Sequence, residues 1–248
     1  MDAVTDNGNE TPSRRAGHLF DLDGVITPTA IVHMKAWERM FTDFLTSRGV
    51  SEPYTDADYF AHVDGKPRYD GVRSFLQSRG IDLPEGADDD PSDQAEGAET
   101  VRGLGNRKND LVLDLIRADG VAPYPGTVAY LDSLEPTARL AVVSSSRNAE
   151  EVLRSAGLRD RFEFVVDGNV AAAESLPGKP APDTFLHAAR LLGVDPADAV
   201  VYEDAVSGVA AGAAGGFAEV VGVDRGAGEE ALRERGASIV VTDLEELL

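Results

Sequence analysis

The chain contains no cysteine, and this absence excludes several kinds of chemistry at once. Disulfides, thiolate metal sites and a cysteine nucleophile are all ruled out. Long apolar runs are missing too, since none approaches the roughly 18 residues of a membrane-spanning helix. The first ten residues are acidic and hold no apolar stretch, which does not resemble a secretion signal. We expect residues 1–16 to be a disordered acidic tail, and the protein to be a cytoplasmic monomer.

Basic residues are scarce as well. The chain has 23 lysines and arginines against 44 aspartates and glutamates, which gives a net charge of −21. Nucleic acids and anionic membranes are bound by net basic surfaces, so we expect neither as a partner. A small phosphate ester needs only one local basic pocket, and the composition leaves such a substrate open. With 42% hydrophobic residues, the 248-residue chain can bury one large core or two modest ones.

The C-terminal half of the sequence alternates between helical stretches and short apolar runs. After a first apolar run that ends at Phe20, we predict strands at residues 139–143, 162–166, 199–202, 220–223 and 238–241 and helices at 149–156, 182–192 and 206–214. Buried strands separated by helices are typical of a doubly wound parallel sheet. The sequence therefore predicts an α/β protein.

Between these parts lies a long segment, residues 29–121, with a helical pattern. Apolar residues recur at spacings of three and four from Met34 to Leu45, and further helices are predicted within residues 54–80 and from Arg107. An acidic segment at 82–99 is expected to be an exposed loop. The segment is too long for a simple crossover. We therefore predict a helical cap domain, 29–121, inserted into a core formed by 17–28 and 122–248.

The stretch His18-Leu-Phe-Asp-Leu-Asp-Gly is the first sign of a reactive site. Asp21 and Asp23 follow an apolar strand, and alternate strand residues point to the same side. Two carboxylates about 4 Å apart repel by roughly 4 kcal/mol at an effective dielectric constant of 20. The pair therefore needs a cation or a raised pKa, which indicates a metal or acid–base site. A strand that simply ends in an Asp-Gly turn is the alternative.

Three predicted strands end in polar residues, at Asp21, at Ser144 and at Glu203-Asp204. The carboxyl ends of parallel strands lie along one edge of the sheet, where ligands bind. Four carboxylates would then meet at this edge, those of Asp21, Asp23, Glu203 and Asp204. A hard dication with oxygen ligands stabilises such a cluster, and the small number of carboxylates favours Mg²⁺.

Two further segments can reach the same edge. Lys179 lies in the proline-rich loop Leu-Pro-Gly-Lys-Pro-Ala-Pro, which can hold it rigidly over the carboxylates, although a lone lysine is usually solvated. Ser144-Ser-Ser-Arg-Asn148 offers hydroxyls and amides at a helix start, which suits an anion but also an ordinary helix cap. A dication, a carboxylate nucleophile, an anion cradle and a lysine together indicate phosphoryl transfer through an aspartyl phosphate.

At this point the sequence resembles the haloacid-dehalogenase-like phosphotransferases, over roughly residues 17 to 224. Phe-Asp21-Leu-Asp23-Gly-Val, Val-Val-Ser144-Ser-Ser, Gly-Lys179-Pro-Ala-Pro-Asp and Glu203-Asp204 are similar to the four motifs of that family, in order. Within the family the resemblance is greatest to the β-phosphoglucomutase group, through segments that include Thr29, His33, Trp37, Gly-x-x-Arg68, Arg-Lys-Asn-Asp110 and Tyr-Pro-Gly126. The resemblance implies a Rossmann-like core with a helical cap.

The resemblance also implies roles for individual residues. Asp21 would be the nucleophile, Asp23 the general acid and base, and Ser144 and Lys179 would bind the transferring phosphoryl group. Mg²⁺ would be held by Asp21, the backbone carbonyl of Asp23, Glu203 and Asp204. The remaining substrate-binding candidates are Thr29 and His33 near the hinge, Arg68 in the cap, and Ser145, Ser146, Arg147 and Asn148 in the core.

Two functions stay open at this stage. The first is a mutase that exchanges phosphate between C1 and C6 of β-glucose phosphate, and the second is a phosphatase acting on a small sugar phosphate. The basic neighbourhood of Arg68 favours the mutase, because only a mutase must hold a distal phosphate, although a solvated helix face explains these bases equally simply. Departures from the family put the sugar in doubt: Pro28 replaces an acidic residue, and Asp64 and Asn106 stand where lysines are frequent.

Overall fold

Six parallel strands form one sheet in the order β3-β2-β1-β4-β5-β6. The computed structural model describes residues 12–93, 99–134 and 136–248. The strands are β1 Gly17–Phe20, β2 Arg139–Val143, β3 Phe164–Val166, β4 Ala199–Glu203, β5 Glu219–Val223 and β6 Ile239–Val241. Strand β1 lies between β2 and β4, although both come much later in the chain. The predicted doubly wound parallel sheet is confirmed.

Helices cover both faces of this sheet. In chain order, the α-helices of the described residues, those of the cap included, are α1 Thr29–Ser47, α2 Asp56–Asp58, α3 Arg68–Ser78, α4 Val101–Asp119, α5 Pro125–Ser133, α6 Ala149–Ser155, α7 Gly168–Ala173, α8 Asp183–Leu192, α9 Val206–Ala214 and α10 Glu229–Glu234. Because side chains alternate along a strand, Phe20 packs into one apolar layer with α5 and α6. Its neighbour Leu19 packs into the other layer with α8 and α9. No helix of the described residues has the length and apolarity needed to cross a membrane.

The helices α1 to α4, all between β1 and α5 in the chain, enclose an apolar cluster of their own. The rings of Phe41 and Phe75 lie 4.0 Å apart at its centre, and Trp37 stacks on Phe41 at 5.3 Å. This is the apolar face that the spacing from Met34 to Leu45 predicts. The cap helices are therefore packed by their own side chains as well as against the core.

The structure differs from the sequence prediction at three helices. Helix α4 begins at Val101 rather than at Arg107, because the Thr100 side chain accepts a hydrogen bond from the Gly103 amide at 2.9 Å and caps the helix. The glycines at 103 and 105 obscure this start in the sequence. The short helices α7 and α10, of six residues each, have too few residues to show a helical period.

The acidic loop predicted at 82–99 contains no helix or strand in its described residues, 82–93 and 99. It is attached to the cap by ion pairs: Glu85 lies 2.7 Å from Arg73 and 3.1 Å from Arg102. Arg79 pairs with Asp58 at 2.9 Å. Arg73 and Arg79 therefore each pair with a carboxylate, whereas Arg68 pairs with none among the described residues and is treated in the next section.

The predicted N-terminal tail lies largely outside the described residues, which begin at Pro12. Residues 12–16 differ from the prediction, because they are attached to the sheet. Pro12 is buried, the Ala16 amide donates to the Asp198 carbonyl at 3.1 Å, and Arg15 pairs with Glu219 at 3.2 Å. Residues 12–16 are thus part of the fold, ahead of β1.

A chain of buried hydroxyls links the central strands to α5. The Tyr202 hydroxyl lies 2.7 Å from that of Tyr130 and 2.9 Å from His18 Nδ1, and all three residues are fully buried. We expect Tyr202→Phe to lower the free energy of unfolding by about 1–3 kcal/mol, because it leaves two buried polar groups without this partner. Urea denaturation measures the change.

Tyr54→Phe is the matched control for this substitution. The Tyr54 hydroxyl is buried in the cap without a hydrogen-bond partner among the described residues, so its removal should be neutral or slightly stabilising. Equal losses of stability in the two variants would contradict the assigned role of the hydroxyl chain.

Candidate active site

At the carboxyl edge of the sheet, the ammonium group of Lys179 lies between two buried carboxylates. Its Nζ is 2.5 Å from Asp21 Oδ1 and 2.5 Å from Glu203 Oε1, and it also donates to the Val143 carbonyl at 3.1 Å. Burial alone acts to lower the pKa of Lys179, but Asp21 and Glu203 outweigh it and raise the pKa above its ordinary value. Lys179 is therefore held as a cation in the floor of the site.

Strand register brings these residues together. Phe20 of β1 pairs with Tyr202 of β4, and the Asp21 amide donates to the Tyr202 carbonyl at 2.9 Å. Asp21 and Glu203 thus leave neighbouring strands at the same height. The chain separates Asp21 from Lys179 by 158 residues, yet the parallel sheet places both at one edge.

Asp23 follows Asp21 in a turn in which Gly24 has a φ of +90°. Its Oδ1 accepts a hydrogen bond from Thr29 Oγ1 at 2.5 Å, and its Oδ2 accepts a longer one from Ser144 Oγ at 3.4 Å. The Asp23 side chain is 20% exposed, whereas that of Asp21 is 9% exposed. Asp23 is therefore both oriented by hydroxyl groups and open to a ligand.

Arg225, in the loop after β5, fixes this turn at the same edge of the sheet. Its Nε donates to the Gly24 carbonyl at 2.8 Å, and its guanidinium group lies 3.8 Å from the centroid of the Tyr124 ring. The sequence gives no sign of this role, because Arg225 is 201 residues away from Gly24. The contact holds the backbone on which Asp23 is mounted.

One end of the site is strongly acidic. The pKa of Asp204 is raised well above its usual value, first by burial and then by Glu203 and Asp64. The pKa of Asp21 is also raised by burial, with Glu203 and Asp23 adding to the effect and Lys179 opposing it. Hard carboxylate oxygens whose mutual repulsion disfavours ionisation are a donor set that suits a magnesium ion.

The carboxylates are nevertheless not arranged as a closed metal site. Among the described residues, no group of three or more histidine or acidic side chains already surrounds one point as metal ligands do. Both oxygens of Glu203 have other partners, since Oε1 binds Lys179 and Oε2 accepts from the Ala205 amide at 2.9 Å. Asp21 and Asp204 are therefore the side chains that fit a cation best.

The opposite end of the site is basic. The guanidinium group of Arg68 is mostly buried and donates to Asn109 Oδ1 at 2.6 Å, and Asn148 donates to the same oxygen at 2.8 Å. Arg68 and Arg147 lie 5.8 and 5.5 Å from the centroid of the Tyr69 ring. Neither arginine has a carboxylate within 4.0 Å in the described part of the chain. Two neighbouring cations without a counter-ion form a site for an anion.

The serine segment after β2 connects the two ends. Ser144 Oγ accepts from the Ser146 amide at 3.0 Å, and Ser146 Oγ accepts from the Asn148 amide at 3.2 Å. Ser145 instead donates to the Gly65 carbonyl of the cap at 3.0 Å. The cap is therefore closed onto the core, and a cavity lies between them, with Asp21 and Asp204 at one end and Arg68 and Arg147 at the other.

Comparison with known proteins agrees with this geometry. A model of the haloacid dehalogenase-like hydrolase family matches residues 18–216 of the chain. The chain belongs to this family. It is 52% identical to a β-phosphoglucomutase of Mycobacterium bovis, over 96% of this chain and 93% of the relative. It is 32% identical to a fructose-1-phosphate phosphatase of Escherichia coli, over 82% and 94% of the two chains.

A solved structure leads to the same family. The crystal structure of a β-phosphoglucomutase from Clostridium difficile matches with a TM-score of 0.74 at 26% identity, covering 94% of this chain and 93% of that one. The resemblance inferred from the sequence motifs, to the haloacid dehalogenase-like family and to its β-phosphoglucomutases, is confirmed.

One residue of this haloacid dehalogenase-like site is absent from the sequence-based candidates. Lys108 of α4 is buried, its Nζ lies 2.8 Å from His33 Nδ1, and His33 Nε2 lies 3.8 Å from Asp23 Oδ1. Burial, with Arg68 adding to it, lowers the pKa of Lys108 to about 7. Burial and then Lys108 lower the pKa of His33 to about 4. Lys108, His33 and Asp23 thus form a row of titratable side chains that runs from the cap to the core.

A signal for Lys108 was present in the sequence. The chain has only four lysines, and Arg-Lys-Asn-Asp110 is one of the segments that carry the family resemblance. Lys66 and Lys108 line the cavity, and Lys179 binds Asp21. In a chain with so few lysines, a lysine within or next to a motif is a candidate site residue.

The lowered pKa of Lys108 predicts a pH dependence of stability. Below pH about 7 Lys108 is charged in both the folded and the unfolded chain. Between pH 7 and its ordinary pKa of about 10.4 only the unfolded chain carries the extra proton, so stability should rise with pH. Relative to Lys108→Met, the wild type should gain up to about 1.4 kcal/mol for each pH unit in this range.

Urea denaturation of both proteins at pH 7.0, 8.0 and 9.0 measures this gain. Lys35→Met is the control, because Lys35 is exposed on α1 and should show no such slope. A constant difference between wild type and Lys108→Met at the three pH values would contradict the lowered pKa.

Proposed function

We propose that this chain is a β-phosphoglucomutase, which moves a phosphoryl group between C1 and C6 of β-glucose phosphate by way of an aspartyl phosphate at Asp21. The observation that carries the proposal is the two-ended cavity. It places a carboxylate bound to Lys179 at one end and, at the other, the guanidinium groups of Arg68 and Arg147, which have no carboxylate within 4.0 Å among the residues that the structure describes. A sugar with two phosphates matches both ends at once. The 52% identity to a β-phosphoglucomutase supports the same activity.

Each step has a residue to perform it. The phosphoryl group on Asp21 passes to the C6 hydroxyl of β-glucose 1-phosphate, and Asp23 accepts the proton of that hydroxyl. The bisphosphate then turns end for end. Asp21 takes the phosphoryl group from C1, and Asp23 returns the proton to the departing oxygen. Thr29 and Ser144 keep the Asp23 carboxylate in position through both transfers.

The basic groups at the two ends of the cavity bind different phosphates of the sugar bisphosphate. Lys179, held by Asp21 and Glu203, neutralises the group in transfer together with the hydroxyl of Ser144. Arg68, Arg147 and Asn148 bind the distal phosphate, with Asn109 orienting the Arg68 guanidinium. Ser146 and the start of α6 contribute amides to this end. His33 and Lys108 lie next to Asp23 on the cap side. Ser145 holds the cap closed through its hydrogen bond to the Gly65 carbonyl.

Mg²⁺ is the cofactor that the acidic end fits. Asp21 and Asp204 would hold it with the backbone carbonyl of Asp23, and Glu203 stays a predicted ligand because both its oxygens have partners in this structure. When bound, the ion would neutralise the carboxylates and the phosphoryl oxygens. A cytoplasmic monomer likewise stays a prediction.

A sugar-phosphate phosphatase is the second candidate. The relation to a fructose-1-phosphate phosphatase favours it, and so does Asp64, a cap acid that stands where lysines are frequent in the mutases. In that reaction water takes the place of the sugar hydroxyl as acceptor. The closed cap and the distal arginines argue for the mutase, because they exclude water and bind a second phosphate.

The nucleophile and the metal are tested together. Asp21→Asn should abolish turnover of β-glucose 1-phosphate, because the amide cannot form the acyl phosphate. EDTA should silence the wild type, and added Mg²⁺ should restore it. Glucose 6-phosphate formation in a coupled assay reports both effects. Full activity in EDTA would rule out the metal-dependent mechanism.

Arg68→Ala separates the mutase from the phosphatase. With β-glucose 1-phosphate, Mg²⁺ and a trace of glucose 1,6-bisphosphate, the wild type should give glucose 6-phosphate and little free phosphate by ³¹P NMR. Arg68→Ala should slow this conversion by roughly 10- to 150-fold, the equivalent of about 1.5–3 kcal/mol for charge-assisted bonds to phosphate. Hydrolysis of acetyl phosphate, which has no distal phosphate, should change much less.

Arg73→Ala is the matched control, because Arg73 lies on the same helix but pairs with Glu85 and Asp70. It should leave both reactions nearly unchanged. If inorganic phosphate is the main product and Arg68→Ala slows both reactions equally, the mutase is wrong and the phosphatase replaces it.

A further inference from the structure

Asp64 is a cap residue that faces the acidic end of the cavity. It lies at the end of the helical turn Tyr59–Val63 and lines the same cavity as Asp21, Asp23, Glu203 and Asp204. Four of these five carboxylates belong to the core, and only Asp64 moves with the cap. Its charge therefore acts across the boundary that opens and closes.

The backbone around Asp64 is the place where the cap contacts the core. The Asp64 carbonyl accepts from Ser207 Oγ at 3.4 Å, and the next carbonyl, of Gly65, accepts from Ser145 Oγ at 3.0 Å. Gly65 has a φ of +68°, and a Cβ on it would come within 3.1 Å of the Ala205 side chain. The close approach of this loop to the start of α9 thus needs the glycine, and it brings the Asp64 carboxylate close to Asp204.

The charges around Asp64 oppose this closed arrangement. Burial raises the pKa of Asp64 to about 6, with Glu203 adding to the effect, while a hydrogen bond with Tyr59 and the charge of Lys179 oppose it. Asp64 is in turn one of the charges that raise the pKa of Asp204. Lys179 offsets only part of this repulsion, since its short contacts are with Asp21 and Glu203.

We propose that Asp64 is a positioning residue through which a magnesium ion at Asp21 and Asp204 draws the cap closed. The inference rests on the proposed magnesium site. Without the ion, the Asp64 carboxylate is repelled by Asp204 and Glu203, and the repulsion favours the open cap. With the ion, the sign of the field at Asp64 is reversed, and the closed cap is favoured.

Thermodynamic linkage then fixes the behaviour of the ion. An ion that favours the closed cap must bind the closed cap more tightly, by the same factor. The distal arginines are not involved, so the effect should precede any binding of sugar phosphate.

The test measures magnesium affinity and cap position, both without substrate. Since the chain has no cysteine, spin labels can be placed on cysteines introduced at exposed Gln77 of the cap and exposed Glu174 of the core. In the wild type, Mg²⁺ should shorten the distance between the labels, measured by double electron–electron resonance. In Asp64→Asn, the ion-free distance should already be short, and Mg²⁺ should no longer change it. Calorimetry should show magnesium binding weakened at least about 5-fold, the low end of typical couplings.

Asp82→Asn is the control, since it removes the same charge from an exposed position of the cap and should behave as the wild type. If Asp64→Asn matches Asp82→Asn in affinity or in label distances, the inference is overturned. Thermal unfolding verifies that Asp64→Asn is folded, and Asp64→Ser replaces it if it is not. A wild type that binds no Mg²⁺ would instead overturn the proposed metal site, which is a distinct result.

Discussion

The contact of Lys179 with Asp21 and Glu203 is the interaction on which the rest of the site depends. Three charged groups are buried together at the edge of the sheet, where each would be unfavourable alone. The lysine can stabilise both carboxylates only because β1 and β4 are neighbours in exact register and because its loop returns to the same edge. Stability and the proposed reactivity therefore share one set of bonds: Lys179 opposes the rise in the pKa of Asp21, and in the proposed mechanism it also neutralises the phosphoryl group that Asp21 receives.

The cavity above this contact is polarised along its length. Carboxylates collect at the end near Asp204, and cations collect near Arg68 and Lys108. Neither end is neutral by itself, and a dication at one end with a phosphate at the other would balance both. This separation explains why a chain with a net charge of −21 can bind anionic substrates. Recognition depends on the local field, because screening removes the influence of distant surface charges.

The parts of the structure that were predictable from the sequence are those governed by short patterns. Apolar runs located the strands. The rule that parallel strands share a carboxyl edge then predicted that Asp21, Ser144 and Glu203 lie close together. The pairings that no local pattern encodes were missed. Lys108 reaches His33 from another helix, and Arg225 reaches Gly24 from a loop 201 residues further along the chain. Tertiary packing alone decides such contacts. The early start of α4 was missed for a different reason, because it depends on the hydrogen bond by which Thr100 caps the helix.

Because β1 lies in the middle of the sheet, the order of synthesis decides when the site can form. Of the six strands, β1 is synthesised first, whereas its neighbour β4 is synthesised about 180 residues later. Synthesis proceeds at about 5–20 residues per second, so β1 is made well before β4. The cap helices follow β1 directly, carry their own apolar cluster and can collapse while both edges of β1 are still unpaired. Asp21 is thus synthesised early but meets Lys179 late, so a partly synthesised chain lacks the complete site.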